Sequence, residues 1–192
     1  MNAIDQLERC TPGGYLPNGS SATEPTAWAA MALAYAGRNE SADRAGEWLV
    51  SLQSRNGSVS VGPDSSDPHW PTSLAVLAWR TIDPERYQLP IERAVAWTIG
   101  ARGSTVPRDP KIGHDTTLVG WSWAADTHSW LEPTAFATMA LRASGNREHP
   151  RSQEARRLLL NRLLPDGGSN YGNTKILGQT LVPHLQPSGI VL

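Results

Sequence analysis

The sequence predicts an all-α fold made of repeated helical hairpins, and three observations carry that expectation. "EPTAWAAMALAYAG" from Glu24 and "EPTAFATMALRASG" from Glu132 are near copies; "WPTSLAVLAW" from Trp70 is a third, and "QPSGIVL" from Gln186 opens a fourth. Each copy starts x-Pro-Thr or x-Pro-Ser before an apolar run, and proline suits the first turn of a helix, where its missing N–H costs nothing. The segments between the copies are apolar on one side only.

In chain order, Glu24 precedes Pro25 and faces the positive end of the first repeated helix. In that helix Trp28, Met31, Ala32 and Tyr35 make one stripe, while Ala29, Ala30 and Leu33 leave no polar back, which predicts a helix covered on both sides. "RAGEWLVSLQ" then sets Ala45, Trp48, Leu49 and Leu52 at helical spacing against polar Asp43, Arg44, Glu47 and Ser51. The same one-sided pattern returns in "RAVAW" from Arg93 and more loosely in "EARRLLL" from Glu154. Alternating wholly apolar and half-polar helices predict two concentric layers. Gly13, Gly57 and Gly167 occupy matching turns after the outer helices, where a left-handed residue is needed. The repeats fall near 24–61, 70–103 and 132–173, with a truncated fourth from 186, within a single domain spanning 1–192. Residues 104–131 form a Trp/His-rich insertion that breaks the helical pattern, and its tryptophans argue against disorder.

Composition narrows the functions. A net charge of -1 and a pI near 6.5 do not suit a phosphate-tracking surface, so no nucleic-acid partner is expected. The single cysteine, Cys10, excludes an internal disulfide framework and reads as a small buried hydrophobe. Asp5, Glu8 and Arg9 stand where a secretory signal would be apolar, and Ala27 to Gly37 is too short to span a bilayer. A cytoplasmic protein with no transmembrane segment is expected.

"RAGEWLVSLQSRNGSV" resembles the QW motif of squalene and hopene cyclases and of protein prenyltransferase β subunits, with Arg44, Ala45, Trp48, Leu49, Gln53 and Gly57 at the matching positions. The motif's final Trp is Val59 here. In the other turns its Gln position is Arg9 and Leu163, and its terminal aromatic is Tyr15 and Ser169. "GHDTTLVGWSWAADTHSWLEPTA" and "LLPDGGSNYGN" look like segments of bacterial proteins classed as prenyltransferase or squalene-cyclase repeat proteins. The resemblance implies an α/α toroid, with inner helices around a lumen and the motif's glutamine tying helix ends together. The toroids of that group hold more helix pairs than this sequence does. The chain is therefore expected to be an incomplete ring or open arc, a fragment, or one piece of an assembly with an apolar C-terminal edge available for self-association.

The family's chemistry is not spelled out. No Asp-x-Asp-Asp string occurs, and Asp64 and Asp67 of "PDSSDP" read as a solvated turn. The zinc-holding Asp-x-Cys of the prenyltransferases has only Glu8 and Cys10 as a near match. No metal site and no cofactor are expected. The candidate catalytic residues are His114, Asp115, Asp126 and His128 of the insertion, with Glu132 beside them at a helix start; two His and two Asp can form an acid–base pair or bind a metal. The plainer alternative is that they satisfy the backbone of a long loop. Trp28, Trp70, Trp121, Trp123 and Trp130 are the candidate substrate-binding rings, since aromatic faces suit apolar and cationic isoprenoid species. Two functions stay open. One is a terpene-cyclase- or prenyltransferase-like protein that binds or acts on an isoprenoid-type apolar molecule in an aromatic-lined lumen. The other is a non-catalytic helical-repeat interaction module.

Overall fold

The computed structural model describes residues 2–65 and 67–191. It is all-α apart from one two-residue-per-strand hairpin: α1 (Ala3–Arg9), α2 (Thr23–Tyr35), α3 (Asn39–Ser51), α4 (Thr72–Ile82), α5 (Gln88–Gly100), α6 (Leu131–Ala143), α7 (Pro150–Asn161), β1 (Lys175–Ile176), β2 (Gln179–Thr180) and α8 (Leu185–Val191). Every x-Pro-Thr or x-Pro-Ser segment opens or lies within a helix, as its proline predicts. The chain falls into two compact units, Met1–Gly100 and Ala101–Leu192. No helix among the described residues is long and apolar enough to cross a membrane.

In the first unit α2 packs against α3 and α4, and α4 against α5. The core is Leu33, Leu49, Leu74, Val76, Trp79 and Tyr87, all buried. Its two large rings carry polar handles that need partners. Trp79 Nε1 donates to the Gly46 carbonyl (3.1 Å), and Tyr87 Oη donates to the Asp43 carbonyl (3.2 Å). Both acceptors lie on α3, so the handles fix α4 and the start of α5 against it. The one-sided pattern of α3 holds, with Ala42, Ala45 and Leu49 buried while Arg44 and Glu47 face solvent. Gln53 links the turn after α3 to the first turn of α5, its Nε2 donating to the carbonyls of Gly57 (3.1 Å) and Pro90 (2.9 Å). Gly57 has φ +96°, and a Cβ there would stand 2.2 Å from the Arg93 carbonyl oxygen, so no other residue fits.

Two expectations for this unit need correction. The helix α2 is covered on one side only: Trp28 is 44% and Tyr35 86% exposed, because α3 and α4 cover its Ala27, Ala30 and Leu33 face. An apolar pattern all round a helix cannot say which faces find a neighbour. The helix α4 matches the expectation closely, with Thr72 to Val76, Ala78 and Trp79 buried. Cys10 is exposed rather than buried, since it sits at the C-cap of the short α1. That helix starts with a capping box between Asn2 and Asp5 and is held to the rest by Arg38–Asp5 (2.9 Å) and Ser41–Glu8 (2.6 Å). Asp64 and Asp67 are exposed in a turn, and Ser66 between them lies outside the described residues.

In the second unit α6 packs on α7 and α8 around Leu131, Phe136, Leu141 and Leu158. The fourth Pro-Ser copy supplies α8, though its last residue, Leu192, lies outside the described residues. The β1–β2 hairpin was not foreseen, because two-residue strands are too short for alternation to show. Its turn residues, Leu177 (φ 49°) and Gly178 (φ 83°), both adopt the left-handed conformation that a two-residue hairpin loop requires.

The hydroxyl after each repeated proline does something its helix-start reading missed. Thr26 Oγ1 accepts from Gly13 N (3.2 Å) and donates to Gly13 O (3.1 Å). Thr72 Oγ1 accepts from Val59 N (2.8 Å) and lies 3.3 Å from Val59 O. Thr134 Oγ1 does the same with Trp121 (3.0 and 3.4 Å), and Ser188 Oγ with Ser169 (2.9 and 3.0 Å). One hydroxyl, donor and acceptor at once, thus clamps each repeated helix to the turn before it. The clamp sets which residues of the four turns correspond. Gly13, not Tyr15, stands where Val59 and Ser169 stand, and Trp121 holds that place in the insertion.

Candidate functional site

The segment 101–130, which holds nearly all of the insertion, has no helix of its own and is fastened by backbone pairing and two buried arginines, Arg151 and Arg162. Gly103 N donates to Gly120 O (3.0 Å), Ser104 N to Thr127 O (2.8 Å), and Trp130 N to Trp121 O (2.9 Å). Arg151, in the first turn of α7, sends its guanidinium to the carbonyls of Val119, Ala101 and Gly120 and pairs with Glu154 at 3.0 Å. It also lies over the Trp121 ring, 4.3 Å from the centroid. A planar cation with several fixed donors suits loop carbonyls that no helix or sheet would otherwise satisfy.

Fastened this way, the insertion and the β1–β2 hairpin flank a half-open cavity of about 1040 Å³ within the second unit, most of whose lining residues are exposed. Val106, Ile112, Ile176 and Leu177 supply apolar wall, and His114 and His128 are part of it. Leu177, at the hairpin tip, is 97% exposed. His114 is 8% exposed, and its Nδ1 is buried with no hydrogen-bond partner. Burial, then the nearby Arg162 and His128, push the His114 pKa down to about 4; Asp115 opposes this weakly. His128 is more open, its ring 4.4 Å from that of Trp130, and burial and Arg162 lower its pKa as well. Both imidazoles are therefore neutral at pH 7. Arg162, 4% exposed, stands behind them; its Nη1 donates to the Ser129 carbonyl and its Nε has no partner. Burial lowers the Arg162 pKa to about 10, and the residue stays charged.

The candidate catalytic residues divide. His114, His128 and Asp126 come together on the cavity wall. Asp115 does not join them. Its Oδ1 accepts from the backbone N and Oγ1 of Thr117, its Oδ2 lies 3.4 Å from Arg108, and the Thr117 hydrogen bonds chiefly lower its pKa. It is a turn-forming residue, as the plainer alternative holds. Glu132 is buried at the start of α6, where it accepts from Gln186 Nε2 (3.0 Å), so the leading residues of two successive copies meet there rather than in the cavity. Glu24, its counterpart, accepts from Tyr15 Oη (2.5 Å).

None of the candidate rings lines this cavity. Trp28 is on the open side of α2, and Trp70 is half-buried ahead of α4. Trp121 is packed under Arg151, while Trp123 and Trp130 are half-buried in the loop. The wall is aliphatic and imidazole where aromatic was expected. Among the described residues, no three His, Cys, Asp or Glu side chains gather in a metal-binding group. Arg151 and Arg162 were missed by sequence reasoning, since an arginine in an exposed-looking helix carries no sign that a loop will fold over it. No protein-family model matches the chain, and no curated protein matches it either.

Proposed function

We propose that the chain is a helical-repeat protein of the squalene-cyclase and prenyltransferase-like kind, which takes up an apolar small molecule of isoprenoid type in the cavity of its second unit. One observation carries this reading: a cavity of about 1040 Å³ with aliphatic walls and two neutral imidazoles, a size and character suited to a small-molecule ligand. The repeat resemblance favours isoprenoids among apolar ligands, and this is analogy alone. His114 and His128 are the groups able to accept or donate a proton there. Calorimetric titration with uncharged farnesol tests the reading. Binding is expected, with loss in Ile176→Asp, a change at an exposed strand residue that leaves the core intact. Farnesol heat that is absent, or unchanged by Ile176→Asp, sinks the proposal.

The second reading is an interaction module that associates with another copy. Its support is the exposed Tyr35 at the end of α2 and the exposed Leu185 at the start of α8. Sedimentation of the wild type against Leu185→Glu tests the C-terminal edge. A monomer at all concentrations removes this reading.

A further inference from the structure

The cavity's polar groups say something about its ligand beyond apolarity, and the inference rests on the binding role just given. The charged side chains of the wall are Lys111 and Lys175 against Asp126, so its formal balance is one positive charge. Behind the wall the buried Arg162 adds a further positive field, offset only at a distance by Asp115. His114, more than nine-tenths buried, forms part of the wall; its Nδ1 is shut off from solvent and has no hydrogen-bond partner, so only the rest of the ring is open to a ligand. The aliphatic side chains of Val106, Ile112, Ile176 and Leu177 offer the other half of an amphipathic site.

We propose that the cavity binds a long-chain monocarboxylate, its carboxylate held at His114 between Lys111 and Lys175 and its hydrocarbon chain laid along Ile112, Ile176 and Leu177. One net positive charge matches one negative head. A diphosphate carrying three negative charges would exceed what the wall and Arg162 together offset. The neutral imidazole of His114 provides an N–H for a carboxylate oxygen, and the lysines provide the field.

Three ligands of similar apolar bulk separate the possibilities by calorimetry at pH 7.5: dodecanoate, dodecanol and farnesyl diphosphate. Dodecanoate is expected to bind at least about tenfold more tightly than dodecanol, the size of effect one or two charge-assisted contacts supply. The Lys111→Gln/Lys175→Gln double variant, changed only at exposed positions, should remove that advantage and leave dodecanol binding as it was. The ring protons of His114 should shift with dodecanoate and not with dodecanol. Equal affinity for acid and alcohol overturns the carboxylate assignment while leaving the apolar cavity standing. Tighter binding of farnesyl diphosphate than of dodecanoate overturns the monoanion and points to a phosphate head. No binding by any of the three overturns both this inference and the reading it rests on.

Discussion

Acidification gives the most direct access to the second unit through His114. In the unfolded chain its imidazole takes up a proton near pH 6.5; in the fold, burial and the facing positive groups Arg162 and His128 delay this to about 4. Between those values the unfolded chain binds more protons, so stability rises with pH and falls as pH drops. The loss begins near pH 6.5 and is complete by about pH 4. A gap from 6.5 to about 4, at about 1.4 kcal/mol per tenfold step in proton affinity, amounts to about 3 kcal/mol. Carboxylates titrate in the same range, so the quantity to measure is a difference between two proteins. Urea unfolding of the wild type and of His114→Gln, from pH 7.5 to pH 4, should show the wild type losing about 3 kcal/mol more than the variant. The imidazole resonances of His114, followed over the same range, report the folded pKa directly. Parallel pH profiles for the two proteins, or a His114 that titrates near 6.5 in the fold, would refute the burial argument.

Further outcomes follow from the clamps and the loop. Thr72→Val removes the acceptor for the buried Val59 N–H and should cost about 2 kcal/mol in chemical denaturation; Thr134→Val should cost a similar amount through Trp121 N. Gly57→Ala places a Cβ against the Arg93 carbonyl at a positive φ, and a loss of at least about 2 kcal/mol is expected from thermal unfolding. Arg151→Lys keeps the charge but cannot reach three carbonyls and Glu154 together, so limited trypsin digestion should cut faster at Arg108 and Lys111. Unchanged cleavage rates would mean that the backbone pairs and Arg162 hold the insertion without Arg151.

The parts of the fold legible in the sequence were those written in local chemistry. Proline in a first turn announces a helix wherever it sits, which is why the starts of α2, α4, α6 and α8 could be read. The polar side of α3 could be read for the same reason, since Arg44 and Glu47 must reach water whatever surrounds them. Coverage was not legible. Trp28 and Ala30 look equally apolar in the chain, and only the placement of α3 and α4 exposes one and buries the other. At the candidate site, His114 and His128 stood out because imidazoles in a long tryptophan-rich loop are unusual. Arg162 did not, because its role depends on residues 33 positions away at Ser129. The tryptophans misled because a large ring near a histidine fits a pocket wall and a packed turn equally well, and Trp121 went to the turn.

The four threonine and serine clamps carry an evolutionary consequence. Each knot is tied to amide and carbonyl atoms that every amino acid possesses, so the tenant of the knotted position is free to drift, and here glycine, valine, tryptophan and serine have all occupied it. A scaffold joined in this manner can shed its recognisable vocabulary while keeping its grammar. Swapping those four tenants among themselves would probe how far such drift can go.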